Sequence, residues 1–414
     1  MLNTFEILLF GISGGRLEPE QRQRIEGCGA VVASKRHHEL LHGLGIHWIA
    51  ISPVEDMIFE LAVALQSGDV AVLASGDPLF FGIGRTLIER FGVERVEIFP
   101  AISAVQLACA RFKIPWDDLC LISLHGRSFD TLAGKILSQP KVMLFTDHRR
   151  SPNRIAADLL VLLEEYGDHE RIERLHVRVA ENLGWPDERL WEGNIEEAAR
   201  QHFAPLNMML IEQTAEENQA GADCVFGLQE DEICHSRGLI TKDEVRAVIL
   251  HRLRLPQSGV FWDIGGGSGS ISVEAARLCP NLSVYVVEQK EESWNNIRAN
   301  IVRYSLYNIT LVRGQAPDVF PNLPDPDRIF IGGSRGLLAE IIAPCAQRLN
   351  QGGRLVVSAV LQNTAEQAPL LMSANGLEAD ARTISVTRER KEYGEDGEDS
   401  SLRLNPITII TGKK

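Results

Sequence analysis

Two α/β domains in tandem are what this sequence predicts, and three observations predict them. The chain has 414 residues, about twice what one ordinary core serves. Short apolar runs of strand length alternate with segments whose apolar residues recur at helical spacing, the pattern of a mainly parallel sheet covered by helices. One polar, aperiodic stretch, "QTAEENQAGAD", separates two such series. It places a boundary near 213–222, with domains 1–213 and 222–414.

In the first half the strand-like runs are "FEILLFGI", "AVVAS", "DVAVLAS", "RVEIFP", "KVMLFT", "HVRVAE" and "MMLIE". The segments between them, such as "PVEDMIFELAVALQSG" and "FFGIGRTLIERFG", read as helices that stop at glycine, which tolerates the left-handed turn of a helix C-terminus. The second half opens with "GLITKDEVRAVILHRLRL", where Thr241 and Glu244 have the spacing of a capping box ahead of a helix. Strands "GVFWDIG", "SVYVVE", "ITLVRG", "RIFIGG" and "GRLVVSAV" then alternate with helices through Leu278, over "EESWNNIRANIVRYS" and up to Leu349. "TISVTRERKEY" and "NPITIITG", around the acidic loop "GEDGEDSS", predict a terminal antiparallel hairpin added to a parallel sheet.

Composition narrows the function classes. The chain is 44% hydrophobic and 24% charged, and no run approaches the ~18 apolar residues of a membrane span. "MLNTFEILLFGISGG" lacks the basic lead-in and cleavage site of a signal peptide and reads as an opening strand, so a cytoplasmic location is expected. Seven scattered cysteines with no C-x-x-C pair argue against a disulfide framework or a structural zinc site. A net charge of −14 argues against a nucleic-acid binder. It leaves room for an anionic small molecule held by a local basic cluster.

The strongest local signal is "FWDIGGGSGSISVEAARL". A strand ends at Asp263 and turns through Gly265, Gly266, Gly267, Ser268 and Gly269 into a helix. A dinucleotide fingerprint would need its third glycine at Ser270, where it is absent. Glu288 closes the next strand, placed to accept hydrogen bonds from ribose hydroxyls. Ribose is thus indicated and a pyrophosphate is not. S-adenosylmethionine meets both conditions, with a cationic sulfonium and amino-acid tail near Asp263. Packing alone also produces glycine-rich strand–helix turns, and a nicotinamide-dependent oxidoreductase is the rival enzyme class.

The second half resembles a specific family. "GLITKDEVRA", "WDIGGGSGSI", "GQAPDVF", "IFIGGS" and "GGRLVVSAV" look like the cobalamin-biosynthesis methylase domain that methylates a precorrin and decarboxylates its acetate side chain. The resemblance implies a Rossmann-like fold and donor contacts at Thr241, Gly265 to Gly269, Glu288 and Ala316. It also implies a departure: relatives often carry Glu where this chain has Asn363, in "AVLQNT".

A second glycine-marked loop lies upstream in "LASGDPLFFGIGR". Gly76 and Asp77 follow a buried strand and precede a helix, at the sheet edge where open α/β folds bind ligands. With "FGISGG", "GCGAVVASKRHHELL" and "FPAISAVQLACARFKIPWDD", this half resembles the tetrapyrrole methylase family, which binds S-adenosylmethionine between two α/β lobes. Donor contacts are implied at Gly76, Asp77 and Ser103. Relatives read G-x-G-x-G in the opening loop, against Gly11, Ser13 and Gly15 here. His37, His38 and His42 stand at helical spacing. With Lys35 and Arg36 they read as a solvated helix start, or contacts to substrate carboxylates, before they read as a metal cluster.

Together the resemblances cover residues 5–212 and 225–412. They imply methylation of meso carbons 5 and 15 of a precorrin-6 tetrapyrrole and loss of CO2 from the ring C acetate. Such chemistry asks mainly for alignment of carbon, methyl and sulfur. No nucleophilic Ser or Cys and no protein-bound metal is expected, and the catalytic side chains stay unassigned beyond Lys242 and Asn363 as candidates. Substrate carboxylates are expected to meet Arg237 and Arg246, with Lys242, Arg149 and Arg150 as further cations. A homo-oligomer is expected. A non-catalytic scaffold, or a methyltransferase acting on RNA or protein, would share the glycine turn. No N-P-P-Y-like motif follows strand four, which counts against the last of these. Whether the macrocycle carries cobalt is open at this level.

Overall fold

A computed structural model of the chain describes residues 5–124, 132–147, 149–214, 224–390 and 400–414. The polar stretch expected as the linker lies outside the described residues from Ala215 to Asp223, as does the acidic loop up to Asp399. The chain divides into two compact units. The first comprises residues 1–126, 141–161 and 170–214, the second residues 127–140, 162–169 and 215–414. Two short segments therefore group with the second unit instead of a single break dividing the chain. Within that unit Gly134 sits where a Cβ would come within 2.7 Å of the Asn308 backbone, and the Tyr166 hydroxyl donates to the Ile309 carbonyl at 3.0 Å.

The first unit contains two five-stranded sheets. One holds β1 (Ile7–Ile12), β2 (Ala30–Ala33), β3 (His47–Ala50), β4 (Val70–Ser75) and β5 (Val96–Phe99), all parallel, in the order β3-β2-β4-β1-β5. Its inner strands are apolar at every position because both faces are covered. Ile7, Leu9, Val70 and Val72 join one core, and Leu8, Phe10, Ala71 and Leu73 the other.

The second sheet holds β6 (Cys120–Ser123), β7 (Lys141–Phe145), β8 (Leu175–Glu181), β9 (Arg189–Asn194) and β10 (Asn207–Gln213), ordered β6-β7-β10-β8-β9. Only β6 and β7 are parallel, and the other three pairings are antiparallel. The mainly parallel arrangement expected throughout this half is thus corrected for its second sheet. β8 and β9 are joined by a short connection that cannot cross over a sheet, so they must run antiparallel.

The second unit is built on seven strands, β11 (Ser258–Ile264), β12 (Asn281–Glu288), β13 (Ile309–Arg313), β14 (Arg328–Ile331), β15 (Arg354–Ala359), β16 (Glu378–Ile384) and, after two strands in a separate hairpin, β19 (Ile407–Lys413). That hairpin is β17 (Thr387–Arg390) with β18 (Ser400–Arg403). The sheet order is β13-β12-β11-β14-β15-β19-β16. β19 runs antiparallel to both of its neighbours, so the terminal antiparallel addition is present. Its partner in the main sheet is β16, and "TISVTRERKEY" divides between the end of β16 and β17. Trp262, Ile264, Ile329, Ile331, Leu355 and Val357 alternate onto one face and pack against the helices Leu338–Arg348 and Gln362–Ala374. Each such side chain contributes about 1.5–3 kcal/mol through burial.

Candidate functional sites at two strand edges

In the second unit β11 ends and the chain turns into the helix Ser270–Leu278. Gly265, Gly267 and Gly269 have φ of 71°, 57° and 75°, a region that strains other residues. At Gly266 the constraint is space, since a Cβ would lie 2.2 Å from Val286 Cγ2. The bare turn borders a cavity of about 700 Å3, also lined by Ser268, Glu288, Ala316 and Arg237. Glu288 is buried, and its two carboxylate oxygens accept the amides of Gly267 (2.9 Å) and Lys290 (2.8 Å). Each oxygen has a second lone pair for a ligand hydroxyl.

Asp263 stands elsewhere than expected. It is not among the residues lining the cavity, because its side chain is fully buried behind the turn. There Oδ2 accepts both the amide (3.2 Å) and the hydroxyl (2.6 Å) of Ser272. Oδ1 is buried without a partner. Burial pushes its pKa up to about 6, against the pull of the Ser272 hydrogen bonds. The acid fastens the helix to the turn and does not face a sulfonium.

Other expected residues also move. Helix Asp243–Leu253 is preceded by Lys242 as N-cap, with no side-chain cap, so the Thr241–Glu244 capping box does not form. Glu244 is held by Arg388 instead, at 2.8 Å. Thr241 is half-buried and contributes its carbonyl to Arg246 at 3.0 Å. Arg246, expected to meet substrate, is only 2% exposed. It pairs with Asp243 (2.8 Å) and the fully buried Glu274 (3.5 Å) and donates to the Leu228 carbonyl. Such an ion pair is committed to the fold, and breaking it would strand a buried charge. Lys242 pairs with Glu230, and Asn363 is exposed on the first turn of helix Gln362–Ala374. Neither lines the cavity. Arg237 does line it, largely exposed, with Glu292 at 3.5 Å as its only partner among the described residues.

The first unit has a smaller cavity, about 80 Å3, lined by Ser13, Gly14, Gly15, Ser75, Gly76 and residues of its second sheet, Ala180 and Met208 among them. Gly11 is required because a Cβ would come 2.3 Å from the Gly76 carbonyl oxygen. Gly76 itself has φ 62°. Asp77 does not line the cavity: its Oδ1 accepts the Leu79 amide at 2.9 Å, an Asx turn that shapes the loop. Ser103 caps helix Ala104–Phe112 in a reciprocal box with Gln106, so its hydroxyl serves the helix.

The basic triplet yields a finding that periodicity did not reach. His38 packs on Trp48 with ring centroids 4.4 Å apart. His37 is instead buried and lines the cavity with Arg36 and Trp185. Its Nδ1 is buried without a partner. Burial, then Arg36 beside it, pushes the pKa down to about 4 and keeps the imidazole neutral. Arg36 donates to Ser75 Oγ at 2.6 Å. Arg149 is exposed, and Arg150 donates to the Leu124 carbonyl at 3.1 Å. Neither borders this cavity. No cluster of three or more His, Cys, Asp or Glu fit for a metal occurs among the described residues, and no helix among them is long and apolar enough to cross a membrane.

Comparison with known proteins agrees with both halves. Residues 19–199 match the tetrapyrrole (corrin/porphyrin) methylases, and residues 232–393 match the precorrin methyltransferase domain. A precorrin-6Y C(5,15)-methyltransferase (decarboxylating) of a Sinorhizobium species is 34% identical over 357 residues, 84% of this chain and 82% of that one. Its counterpart from Mycobacterium tuberculosis is 31% identical over 358 residues, 84% and 85% of the two chains. A solved structure described as precorrin-6Y C5,15-methyltransferase from Geobacter metallireducens is 40% identical, covers 45% of this chain and 96% of that one, and has a TM-score of 0.43. Two family matches in this order, with relatives aligned across both, mean that the chain belongs to the family of decarboxylating precorrin-6Y C(5,15)-methyltransferases.

Proposed function

We propose that this chain methylates meso carbons 5 and 15 of a precorrin-6 macrocycle and releases CO2 from the ring C acetate, in cobalamin biosynthesis. The observation that carries the reading is similarity running through both halves to enzymes named for that pair of methylations. The first half is assigned carbon 5, and the second carbon 15 and the decarboxylation. The enzyme acts in the cytoplasm as a homo-oligomer.

The residues present fit S-adenosylmethionine at the second-unit turn. A Cβ at Gly265 would come 2.7 Å from the Gly333 carbonyl oxygen, so bare backbone is built into this cavity wall. Glu288 would hold the ribose hydroxyls, and Gly265 to Gly269 with Ala316 would bed the rest. When bound, the compound supplies an electrophilic methyl group. In the first unit Gly76 and the opening glycines would form the bed. Asp77 and Ser103 act one step back, by shaping the loop and capping the helix.

The protein's part in the chemistry is positional. A macrocycle held with its meso carbon in line with the methyl needs no nucleophile from the chain. Arg237, at the cavity and weakly paired, is positioned to hold a substrate carboxylate. A desolvated pocket favours loss of the acetate carboxylate as CO2, its electrons passing to a protonated macrocycle nitrogen. The neutral His37 ring, its Nδ1 unpartnered, stands at the first-unit cavity to hydrogen-bond a ligand there. Incubation with metal-free precorrin-6 and, separately, its cobalt form, read by mass spectrometry, tests the proposal. Two methyl additions and one CO2 loss on either substrate support it and identify the route. No methyl addition on either refutes it.

A further inference from the structure

We propose that the edge of the seven-stranded sheet opposite the glycine turn holds a second anion site, which takes a ligand with two or more adjacent phosphate or carboxylate groups. A cleft of about 940 Å3 opens there, lined by Arg252, Arg254, Arg328, Arg354 and Lys413 with Asp380 as the carboxylate among them. Arg328 and Arg354 begin β14 and β15, and Lys413 ends the antiparallel β19. All three therefore lie at the sheet edge away from the end of β11, where the turn lies.

The arginines are held in place. Arg328 donates to the carbonyls of Arg254 (3.0 Å) and Asp327 (2.6 Å), and Arg354 to that of Arg252 (3.2 Å). Arg252 grips Asp380 through both oxygens, one at 2.6 Å, and Thr411 at 3.1 Å. The side chains of Arg254 and Lys413 make no hydrogen bond or ion pair within the described residues. Fixed planar guanidinium groups with unused N–H donors match the forked geometry of oxyanions.

Cations outnumber carboxylates at this cleft. Two carbonyls at the end of helix Asp243–Leu253 are capped here, but a helix C-terminus offers only about half a negative charge. Asp380 is already engaged by Arg252. Nearby Asp327 is turned to the Val260 amide (2.8 Å) and Asn350 (3.0 Å). Glu378 stands opposite Lys413 across the β16–β19 ladder, so five cations share a smaller number of carboxylates, on a chain whose net charge is −14. Burial and the neighbouring arginines push the pKa values of Arg328 and Arg354 down, against the opposing pull of Asp327 on the first and Asp380 on the second. The cleft stands apart from the donor cavity, so this inference does not rest on the methyl-transfer reading.

Calorimetric titration of the full chain with pyrophosphate, and in a parallel arm with citrate, tests it against sodium chloride at matched ionic strength. One bound anion per chain is expected. Arg254→Ala combined with Lys413→Ala, both exposed and unpaired, is expected to weaken it about tenfold or more. That variant should still bind S-adenosylhomocysteine as the parent does, which certifies its fold. Tighter pyrophosphate points to a phosphate ligand, tighter citrate to a polycarboxylate. Heats no larger than those of sodium chloride, or a double variant that binds both anions like the parent, would overturn the proposal.

Discussion

The two strand-edge cavities solve one problem by different physical means. In the second unit a strand runs straight into a glycine turn, and three alternate positive-φ positions, Gly265, Gly267 and Gly269, shape the wall of a cavity of about 700 Å3. The specificity element, Glu288, is tied to that turn by the Gly267 amide. In the first unit the wall is assembled from distant pieces: the opening glycines, the Gly76 loop, Trp185 and a buried neutral histidine around about 80 Å3. A site on one continuous turn is written in one motif. A site gathered from several loops is held by the packing between them, and its parts show no common spacing.

If the two designs are independent, damage to one should spare the other. The largest effect is expected from Gly265→Ala, whose Cβ would meet the rigid Gly333 backbone at 2.7 Å with φ at 71°. Backbone strain of about 1–3 kcal/mol there corresponds to roughly 5- to 150-fold weaker donor binding. Calorimetry with S-adenosylhomocysteine should register two sites in the parent and, in the variant, one of the two weakened by that factor. Two unaltered sites would place the donor somewhere other than this turn.

Glu288→Gln should act in the same direction but less. An amide must turn its NH2 toward the Gly267 or the Lys290 amide, setting donor against donor. About tenfold weaker binding in the second unit alone is expected. An equal loss at both sites would mean the units are coupled.

The pH response separates the two units by sign. Burial holds the Asp263 carboxyl near 6 in the folded chain, above the ordinary 3.8 of an aspartate. The native state therefore binds that proton first, and stability rises as pH falls from about 6 to 4. For His37 the folded value near 4 lies below 6.5, so the unfolded chain is protonated first and stability falls between pH 6.5 and 4. Thermal melts across this range should show Asp263→Asn removing the first slope and His37→Gln the second. Unchanged slopes in both variants would contradict the burial described for the two groups.

The smallest effect is expected from Asn363→Glu. This residue is exposed and away from the cavity lining, so placing an acid there should change carbon 15 methylation by less than about twofold. A large gain in the product assay would give that helix turn a role its position does not suggest.

Legibility in the sequence followed burial. Strands covered on both faces, such as "VAVLAS" and "GVFWDIG", announce themselves as apolar runs. The sequence predicts no strand over β3, β6, β9 or most of β16, and all four are edge strands. β9 and β16 are largely solvent-facing, with no buried residue in either. An edge strand needs only one neighbour and no continuous apolar face, so nothing in its composition sets it apart. Direction was equally hidden, since the antiparallel β7, β8 and β10 read like parallel strands when judged by burial alone.

Residue chemistry along the chain was enough to specify two α/β halves, the bare turn at Gly265–Gly269 and the acid at Glu288, because each is a local demand for space or charge. Which cations remain available is a property of the packed molecule. Arg246 and Arg237 are alike as residue types, yet one is consumed by Glu274 inside the core and the other stands at a cavity. That difference, like the orphaned nitrogen of His37, arises from what folding brings alongside and from how much water it removes.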